Sequence, residues 1–298
     1  MLSVKKFGAI DIGSNAMRLL ISNVVDNGER VDFNKVSLIR LPIRLGQEAF
    51  TDKKLQPEIL QKFVDGMKAF KTIMDIYDIE DYMAAATSAM RELEDSAEVV
   101  ELVKRESGIN IQIIDGKIEA DIIFNAHFKN TNYRDSNYVY VDVGGGSTEI
   151  TILSGQKILA SKSFKIGTVR MINNMVTDEL WASMKKWVKK ETKNLEHVEM
   201  IGSGGSVNKI YKILKMEYPK PILYHEFKGI KQTLERMTFD ERMSFFKLNQ
   251  DRADVIVPAS KVYYSVMKWA DISILHVPKI GLSDGIVQML YKKSLTNT

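Results

Sequence analysis

One run of residues combines glycines, hydroxyls and carboxylates at a spacing that suits phosphate chemistry. In order, it is Asp142, Val143, Gly144, Gly145, Gly146, Ser147, Thr148 and Glu149. Glycines permit positive φ and leave no Cβ to keep an anion away from backbone N–H groups. The hydroxyls add hydrogen-bond donors, and the carboxylates are hard-cation ligands. The run predicts phosphate recognition with a divalent metal, whereas the glycines alone would also fit a plain hairpin turn.

A shorter version of this pattern lies near the N-terminus. It consists of Asp11, Ile12, Gly13, Ser14 and Asn15, with strand-like residues on both sides. Each copy stands near the start of one half of the chain. The two copies therefore predict two similar lobes, each offering a phosphate-binding hairpin to a cleft between them.

The elements that hold these runs alternate between strands and helices. In each half, three successive strands precede alternating strand and helix patterns, which is typical of an α/β protein with mixed sheets. The third strand is expected at residues 30–45, interrupted by Pro42, and Pro57 is well placed to begin a helix. Asp95 and Asp115 are predicted N-caps. Helices are expected to fill much of residues 229–270.

Composition limits the class of protein. The 298 residues are 45% hydrophobic and 27% charged, which is typical of a globular chain with a substantial core. The absence of cysteine excludes disulfides and Cys-ligated zinc. Neither a signal peptide nor an apolar run long enough to cross a bilayer is visible. We therefore expect a cytoplasmic protein that binds neither membrane nor nucleic acid.

Charge is unevenly divided along the chain. Residues 1–150 carry 18 Lys+Arg and 24 Asp+Glu, whereas residues 151–298 carry 24 and 14. The net charges are thus −6 and +10. A basic half would concentrate an anionic substrate, although a solvated basic face explains any single lysine equally well.

Three further features have both a functional and a structural interpretation. The glycine-rich loop at 202–206, between a strand and a helix, suits a phosphate or nucleotide at a helix N-terminus, or only a tight turn. Arg91 could clamp a phosphate or pair with Glu94. Glu119, on a helix between the halves, is a surface glutamate or a general base. The four histidines are scattered and lack metal-ligand spacing.

Over nearly its whole length the sequence resembles the exopolyphosphatase / guanosine pentaphosphate phosphohydrolase (Ppx/GppA) family. Similar blocks follow one another in the family's order. They are residues 9–15, 44–46, 86–92, 116–120, 141–149, 166–170, 202–206, 251–258 and 281–285. One glycine loop would be weak support, but an ordered series of blocks is specific.

The resemblance implies a fold and an activity. The fold is α/β, with two ribonuclease-H-like lobes of the actin / sugar kinase / Hsp70 superfamily around a central cleft. Residues 1–125 and a C-terminal helix at 280–298 would form the first lobe, and residues 126–279 the second. The implied activity is Mg²⁺-dependent hydrolysis of the terminal phosphoanhydride of an anionic chain, and the implied assembly is a homodimer.

The resemblance also implies roles for individual residues. Glu119 would be the general base. The metal ligands would be Asp11, Asp142 and Glu149, and the phosphate-binding residues would be Gly13, Ser14, Asn15, Arg91, Gly144, Gly145, Gly146, Ser147 and Thr148. The chain departs from the family pattern at Lys117 and Ile118, where acidic residues are common, and at 93–95, where an asparagine is expected.

Four functions follow from these observations. The leading hypothesis is an exopolyphosphatase that releases orthophosphate from inorganic polyphosphate. The nearest alternative is a guanosine pentaphosphate 5′-phosphohydrolase. More distant alternatives are a kinase of the same superfamily and a non-catalytic sensor of polyphosphate or nucleotide. Retention of a glutamate base beside metal-binding carboxylates argues against the sensor.

Overall fold

The computed structural model describes residues 2–128, 136–155, 157–278 and 280–296. The chain divides into two compact units. The first unit is Met1–His127 together with Ile280–Thr298, and the second is Phe128–Lys279.

The first unit is built on a five-stranded sheet. Its elements are β1 (Ser3–Ile12), β2 (Met17–Asp26), β3 (Val31–Leu41), α1 (Leu45–Thr51), α2 (Pro57–Ile76), β4 (Asp81–Ala86), α3 (Ser88–Glu92), α4 (Ser96–Ser107), β5 (Ile111–Ile113) and α5 (Gly116–Phe128). The strand order is β3-β2-β1-β4-β5. Strands β1 to β3 are antiparallel, whereas β4 and β5 join in parallel.

The second unit is built on a six-stranded sheet. Its strands and first helices are β6 (Asn137–Val143), β7 (Thr148–Ser154), β8 (Lys157–Phe164), α6 (Thr168–Ile172), α7 (Asp178–Thr192), β9 (Val198–Ser203) and α8 (Gly205–Ile213). The rest are β10 (Ile222–Leu223), α9 (Tyr224–Arg236), α10 (Phe239–Phe246), α11 (Gln250–Ala253), α12 (Ile256–Trp269) and β11 (Ile274–His276). The strand order is β10-β11-β9-β6-β7-β8. A last helix, α13 (Leu282–Thr296), packs on β1, β2 and β4 of the first unit.

The two sheets repeat one plan. In each, a three-strand antiparallel meander is extended by a parallel strand that pairs with the first strand of the meander. This repeat confirms the predicted α/β fold with two ribonuclease-H-like units. Because β1 and β6 are central, their carboxyl ends deliver the two aspartate-glycine runs to the sheet edge where α/β proteins place ligands.

One expected element was wrong. The third strand, predicted for residues 30–45, ends at Leu41, and Leu45 begins helix α1. Pro42 accounts for the difference because it has no N–H to donate to the ladder. Both predicted N-caps are confirmed in position. The Asp115 carboxylate accepts from two backbone N–H groups at the start of α5, whereas Asp95 occupies the N-cap position of α4 without a side-chain cap bond.

Each unit buries its own apolar residues. The last six residues of β1 are all buried, and β7 is buried from Thr148 to Leu153. Central strands covered on both faces are expected to be apolar throughout. No helix in the described parts of the chain is long and apolar enough to cross a membrane.

Candidate active site

The glycine run after β6 forms a tight turn that closes the β6–β7 hairpin. The Gly144 N–H donates to the Ser147 carbonyl at 2.9 Å, so Gly145 and Gly146 are the two residues of the loop. The expected strand–turn–strand arrangement is confirmed.

The carbonyl groups of this turn are bound by helix α6. Each of them accepts a hydrogen bond from the first turn of α6 or from its buried arginine. The pairs are the Gly144 carbonyl with Thr168 N–H at 3.0 Å, the Gly145 carbonyl with Val169 N–H at 2.9 Å, and the Gly146 carbonyl with Arg170 Nε–H at 2.9 Å.

The N–H groups of the turn are left for a ligand. Within the described residues, the backbone N–H groups of Gly145, Gly146 and Ser147 donate no hydrogen bond to the protein. Successive N–H groups of this kind form a concavity that binds anions. Gly144, Gly145 and Gly146 do not have positive φ; among the described glycines, positive φ occurs at 28, 108, 155 and 204. The run uses the missing Cβ rather than a left-handed backbone.

Two carboxylates lie directly beside this turn. Asp142 and Glu149 are opposite each other in the β6–β7 ladder and therefore share one face of the sheet. Glu149 is only 5% exposed, and its Oε1 accepts from Ser147 Oγ at 2.6 Å and Ser163 Oγ at 2.9 Å. Two hydroxyl donors on one oxygen fix the orientation of this buried carboxylate.

This donor set fits Mg²⁺. The ion commonly takes one or two protein carboxylates and completes its shell with water and substrate phosphates. A ready-made cage is not required, and among the described residues no group of three Asp, Glu or His side chains is placed to hold a metal ion.

The hydroxyls of the glycine run are already engaged. Thr148 is fully buried, and its Oγ1–H donates to the Ile166 carbonyl. The Ser147 proton is held by Glu149. The donors of this turn that have no partner among the described residues are therefore backbone N–H groups, and Thr148 fastens β7 to the segment before α6.

The N-terminal run forms the same kind of turn in the first unit. Gly13 N–H donates to the Ala16 carbonyl at 3.2 Å, with Ser14 and Asn15 between them. This repeats the three-residue spacing of the bond at the other hairpin. The Ser14 carbonyl accepts from Gly46 N–H at 2.8 Å, so α1 holds this turn.

Close packing also fixes the Ser14 side chain. It is 3% exposed, and its Oγ lies 2.9 Å from Ser88 Oγ on α3. A Cβ on Gly46 would come within 2.6 Å of the Ser14 Cβ. Glycine is therefore required where α1 crosses the turn.

Asp11 has a partner that sequence reasoning missed. Arg18 stands opposite Asp11 in the β1–β2 ladder, and its Nη1 lies 2.6 Å from Asp11 Oδ2. The sequence could have predicted this pair, because two residues seven positions apart around a tight turn lie opposite each other in a hairpin. Asp11 is thus an ion-paired carboxylate of the first unit, whereas Asp142 and Glu149 are ladder partners in the second.

Arg91 connects α3 to the segment that leads to Glu119. Its guanidinium donates to the Ile114 carbonyl, directly before the cap of α5. The alternative partner, Glu94, instead pairs with Lys53 at 3.5 Å. Glu119 lies half-buried in the first turn of α5, where the helix dipole stabilises an ionised carboxylate.

The glycine-rich loop of the second unit joins β9 to α8. Gly204 has φ +109°, and α8 begins at Gly205, whose carbonyl accepts from Arg252 Nη1 at 2.8 Å. Burial, together with the positive charges of Arg252 and Lys212, lowers the pKa of Lys209. This loop therefore has a cationic border that the sequence pattern did not predict.

Comparison with known proteins identifies relatives along almost the entire chain. The model of the Ppx/GppA phosphatase family matches residues 21–294. A bifunctional 3-dehydroquinate synthase/phosphatase of Fusobacterium nucleatum is 30% identical over 266 residues, which is 83% of this chain but only 39% of that protein. Exopolyphosphatase 1 of Mycobacterium tuberculosis is 22% identical over 95% of this chain and 87% of its own length.

Solved structures show the same fold. An exopolyphosphatase from Cytophaga hutchinsonii superposes with a TM-score of 0.85 at 22% identity, covering 97% of this chain and 98% of that one. A Ppx/GppA family member from Aquifex aeolicus gives 0.78 at 23% identity, with 98% and 99% coverage.

Proposed function

This chain belongs to the Ppx/GppA phosphatase family and is a hydrolase of phosphoanhydrides, and from that premise we propose that it is an exopolyphosphatase. It removes the terminal phosphate of inorganic polyphosphate as orthophosphate, with Mg²⁺ as cofactor. The observation that carries the proposal is the turn at 144–147, whose carbonyls are bound, while three of its N–H groups (those of Gly145, Gly146 and Ser147) have no partner among the described residues.

The turn provides what phosphoryl transfer chiefly needs. In this reaction the protein positions the phosphoryl group and neutralises the charge on its oxygens, with little covalent chemistry of its own. The N–H groups of Gly145, Gly146 and Ser147 meet the phosphate oxygens. Since α6 holds the carbonyls on the other side, these donors are oriented before substrate arrives, which lowers the cost of reorganisation.

The carboxylates beside the turn hold the metal. Asp142 and Glu149 are the proposed ligands, with Asp11 a further proposed ligand that would share its charge with Arg18. When bound, Mg²⁺ neutralises charge on the phosphate oxygens. Ser147 and Ser163 hold the Glu149 carboxylate in a fixed orientation.

Glu119 is the proposed general base and Arg91 a proposed phosphate ligand. A carboxylate within hydrogen-bond reach of water can orient it and take its proton. The Asp115 cap and the Arg91 bond to Ile114 both fix the start of α5, and so they fix the helical turn that carries Glu119. Ser14 and Asn15, in the turn under α1, are proposed to bind phosphate as well.

The charge of the second unit favours polyphosphate. Residues 128–279 contain 24 Lys+Arg and 16 Asp+Glu, a net charge of +8. Helix α7 exposes Lys185, Lys186, Lys189 and Lys190, and of these only Lys190 forms an ion pair within the described residues, with Glu191. A long polyanion gains from such a surface in proportion to its length.

The glycine-rich loop favours the second candidate, guanosine pentaphosphate. Gly204, Arg252 and Lys209 place backbone and cationic groups at the start of a nine-residue helix. A nucleotide phosphate fits such a helix N-terminus.

A substrate panel tests the proposal. Orthophosphate release is measured with Mg²⁺ and with EDTA, using polyphosphates of several lengths, guanosine pentaphosphate and ATP. We expect Mg²⁺-dependent release, with the highest kcat/KM for polyphosphate. A higher kcat/KM for guanosine pentaphosphate would favour the second candidate, and binding without release from any substrate would contradict both.

A further inference from the structure

A fully buried tyrosine lies beneath the carboxylate site. Tyr263, on α12, is 0% exposed and packs edge-on against Phe227 at 6.3 Å. Its hydroxyl donates a hydrogen bond to the Ser203 carbonyl, the last residue of β9. None of the roles assigned above uses this side chain.

The hydroxyl lies where two parallel strands separate. Asp142 of β6 pairs with Ser203 of β9, and this is the last pair of their ladder. Beyond this pair the two strands diverge. The chain after β6 enters the proposed phosphate-binding turn, and the chain after β9 enters the loop at Gly204. The Tyr263 hydroxyl donates to Ser203 at the end of β9, and the ladder partner of Ser203 is Asp142, near the end of β6.

The same hydroxyl and the Asp142 carboxylate both border Gly204. Gly204 is held at φ +109°, and a Cβ there would lie 3.1 Å from Asp142 Oδ1 and 3.4 Å from the Tyr263 oxygen. The carboxylate and the hydroxyl thus line the same space at the end of β9, where close packing leaves no room for a side chain.

We propose that Tyr263 is a positioning residue: its hydroxyl fixes the end of β9 and, through the Asp142–Ser203 pair, orients the Asp142 carboxylate toward the metal. The inference rests on the proposed function, in which Asp142 is a Mg²⁺ ligand. Mutation of groups that hydrogen-bond to and orient a metal ligand typically lowers metal affinity by about 10–100-fold.

Tyr263→Phe isolates the hydroxyl because it preserves the ring. The matched control is Tyr211→Phe, which removes another buried hydroxyl from the second unit, one that donates to the Lys220 carbonyl at 2.8 Å. Mn²⁺ binding to the full chain without substrate is followed by electron paramagnetic resonance, and melting temperature and phosphate release are measured in parallel.

We expect Tyr263→Phe to weaken Mn²⁺ binding by about tenfold and to raise the Mg²⁺ concentration needed for half-maximal release. Tyr211→Phe lowers the melting temperature similarly but leaves Mn²⁺ affinity unchanged. Wild-type affinity in Tyr263→Phe, or equal weakening in both variants, would overturn the assignment.

A second, more conservative replacement tests the proposal if Tyr263→Phe fails to fold. At position 263, 4-aminophenylalanine retains a donor and should bind Mn²⁺ within about threefold of wild type, whereas a folded protein with tenfold weaker binding would contradict the proposal. A wild-type chain that neither binds Mn²⁺ nor releases phosphate would overturn the proposed function itself, a different result from failure of the tyrosine alone.

Discussion

Gly167→Ala should displace the phosphate-binding turn with little direct strain in its own backbone. Gly167 precedes α6 at φ −129° and ψ 162°, an extended conformation that alanine adopts freely. Its missing Cβ faces the turn, because an added Cβ would lie 2.5 Å from the carbonyl carbon of Gly145. That neighbour is backbone and cannot rotate away.

The size of the effect follows from that distance. Ordinary carbon–carbon contact is about 3.5 Å, so the turn must retreat by about 1 Å. A misplacement of about 1 Å at a reacting centre costs roughly 100-fold, or about 2.7 kcal/mol of transition-state stabilisation. Overpacking should also lower the free energy of unfolding by about 1–3 kcal/mol.

The assay compares kcat/KM for polyphosphate and the free energy of unfolding in urea. Gly229→Ala is the matched control, since this glycine of α9 has no heavy atom within 4 Å of an added Cβ. We expect the control to keep full activity and to gain about 1 kcal/mol of helix stability. A folded Gly167→Ala protein with wild-type kcat/KM would refute the assignment of this turn to phosphate.

Two other predictions concern surface charge and the last helix. Replacing both Lys185 and Lys189 with glutamate should weaken the binding of long polyphosphates more than that of short ones. The control Lys104→Glu, at an exposed lysine of the first unit, should not change this length dependence. An equal loss of affinity at all chain lengths would contradict a basic track on α7. The Tyr291 hydroxyl hydrogen-bonds to Asp26, which lowers the carboxyl pKa and raises the pKa of Tyr291 to about 12. Because the pKa of Asp26 is lowered by folding, its ionised form stabilises the fold at pH values above the pKa that Asp26 has in the unfolded chain, and this stabilisation is lost as pH falls. Because the pKa of Tyr291 is raised by folding, its protonated form stabilises the fold at pH values below the pKa that Tyr291 has in the unfolded chain, and this stabilisation is lost as pH rises to about 12. The melting-temperature difference between wild type and Tyr291→Phe should thus be largest near neutral pH and shrink at both extremes, and a pH-independent difference would count against this bond.

The two hairpins were predictable because their signals are local. An aspartate at the end of an apolar strand, followed by small residues and another strand-like run, specifies a turn through residues that are neighbours in the chain. The repeat of that pattern at Asp11 and Asp142 was enough to predict two similar units.

Features set by distant partners were not predictable. The hydroxyl of Thr148 reads as a phosphate ligand in the sequence, but the Ile166 carbonyl that binds it is 18 residues away. Likewise, the need for glycine at position 46 of the short helix α1 becomes apparent only from its contact with Ser14 in the folded structure. Tyr263 looks like any apolar position of a helix, since its role depends on the ends of two strands far from it in the chain.

Glu119→Gln provides the most direct test of the central claim, hydrolysis of a phosphoanhydride with Glu119 as the general base. Release of orthophosphate from polyphosphate and binding of polyphosphate are measured for wild type, for Glu119→Gln and for the control Glu98→Gln, whose glutamate occupies the first turn of α4. We predict that Glu119→Gln binds polyphosphate normally and loses about 10²–10⁴-fold in kcat, while the control retains wild-type turnover. Undiminished turnover in Glu119→Gln would contradict the mechanism.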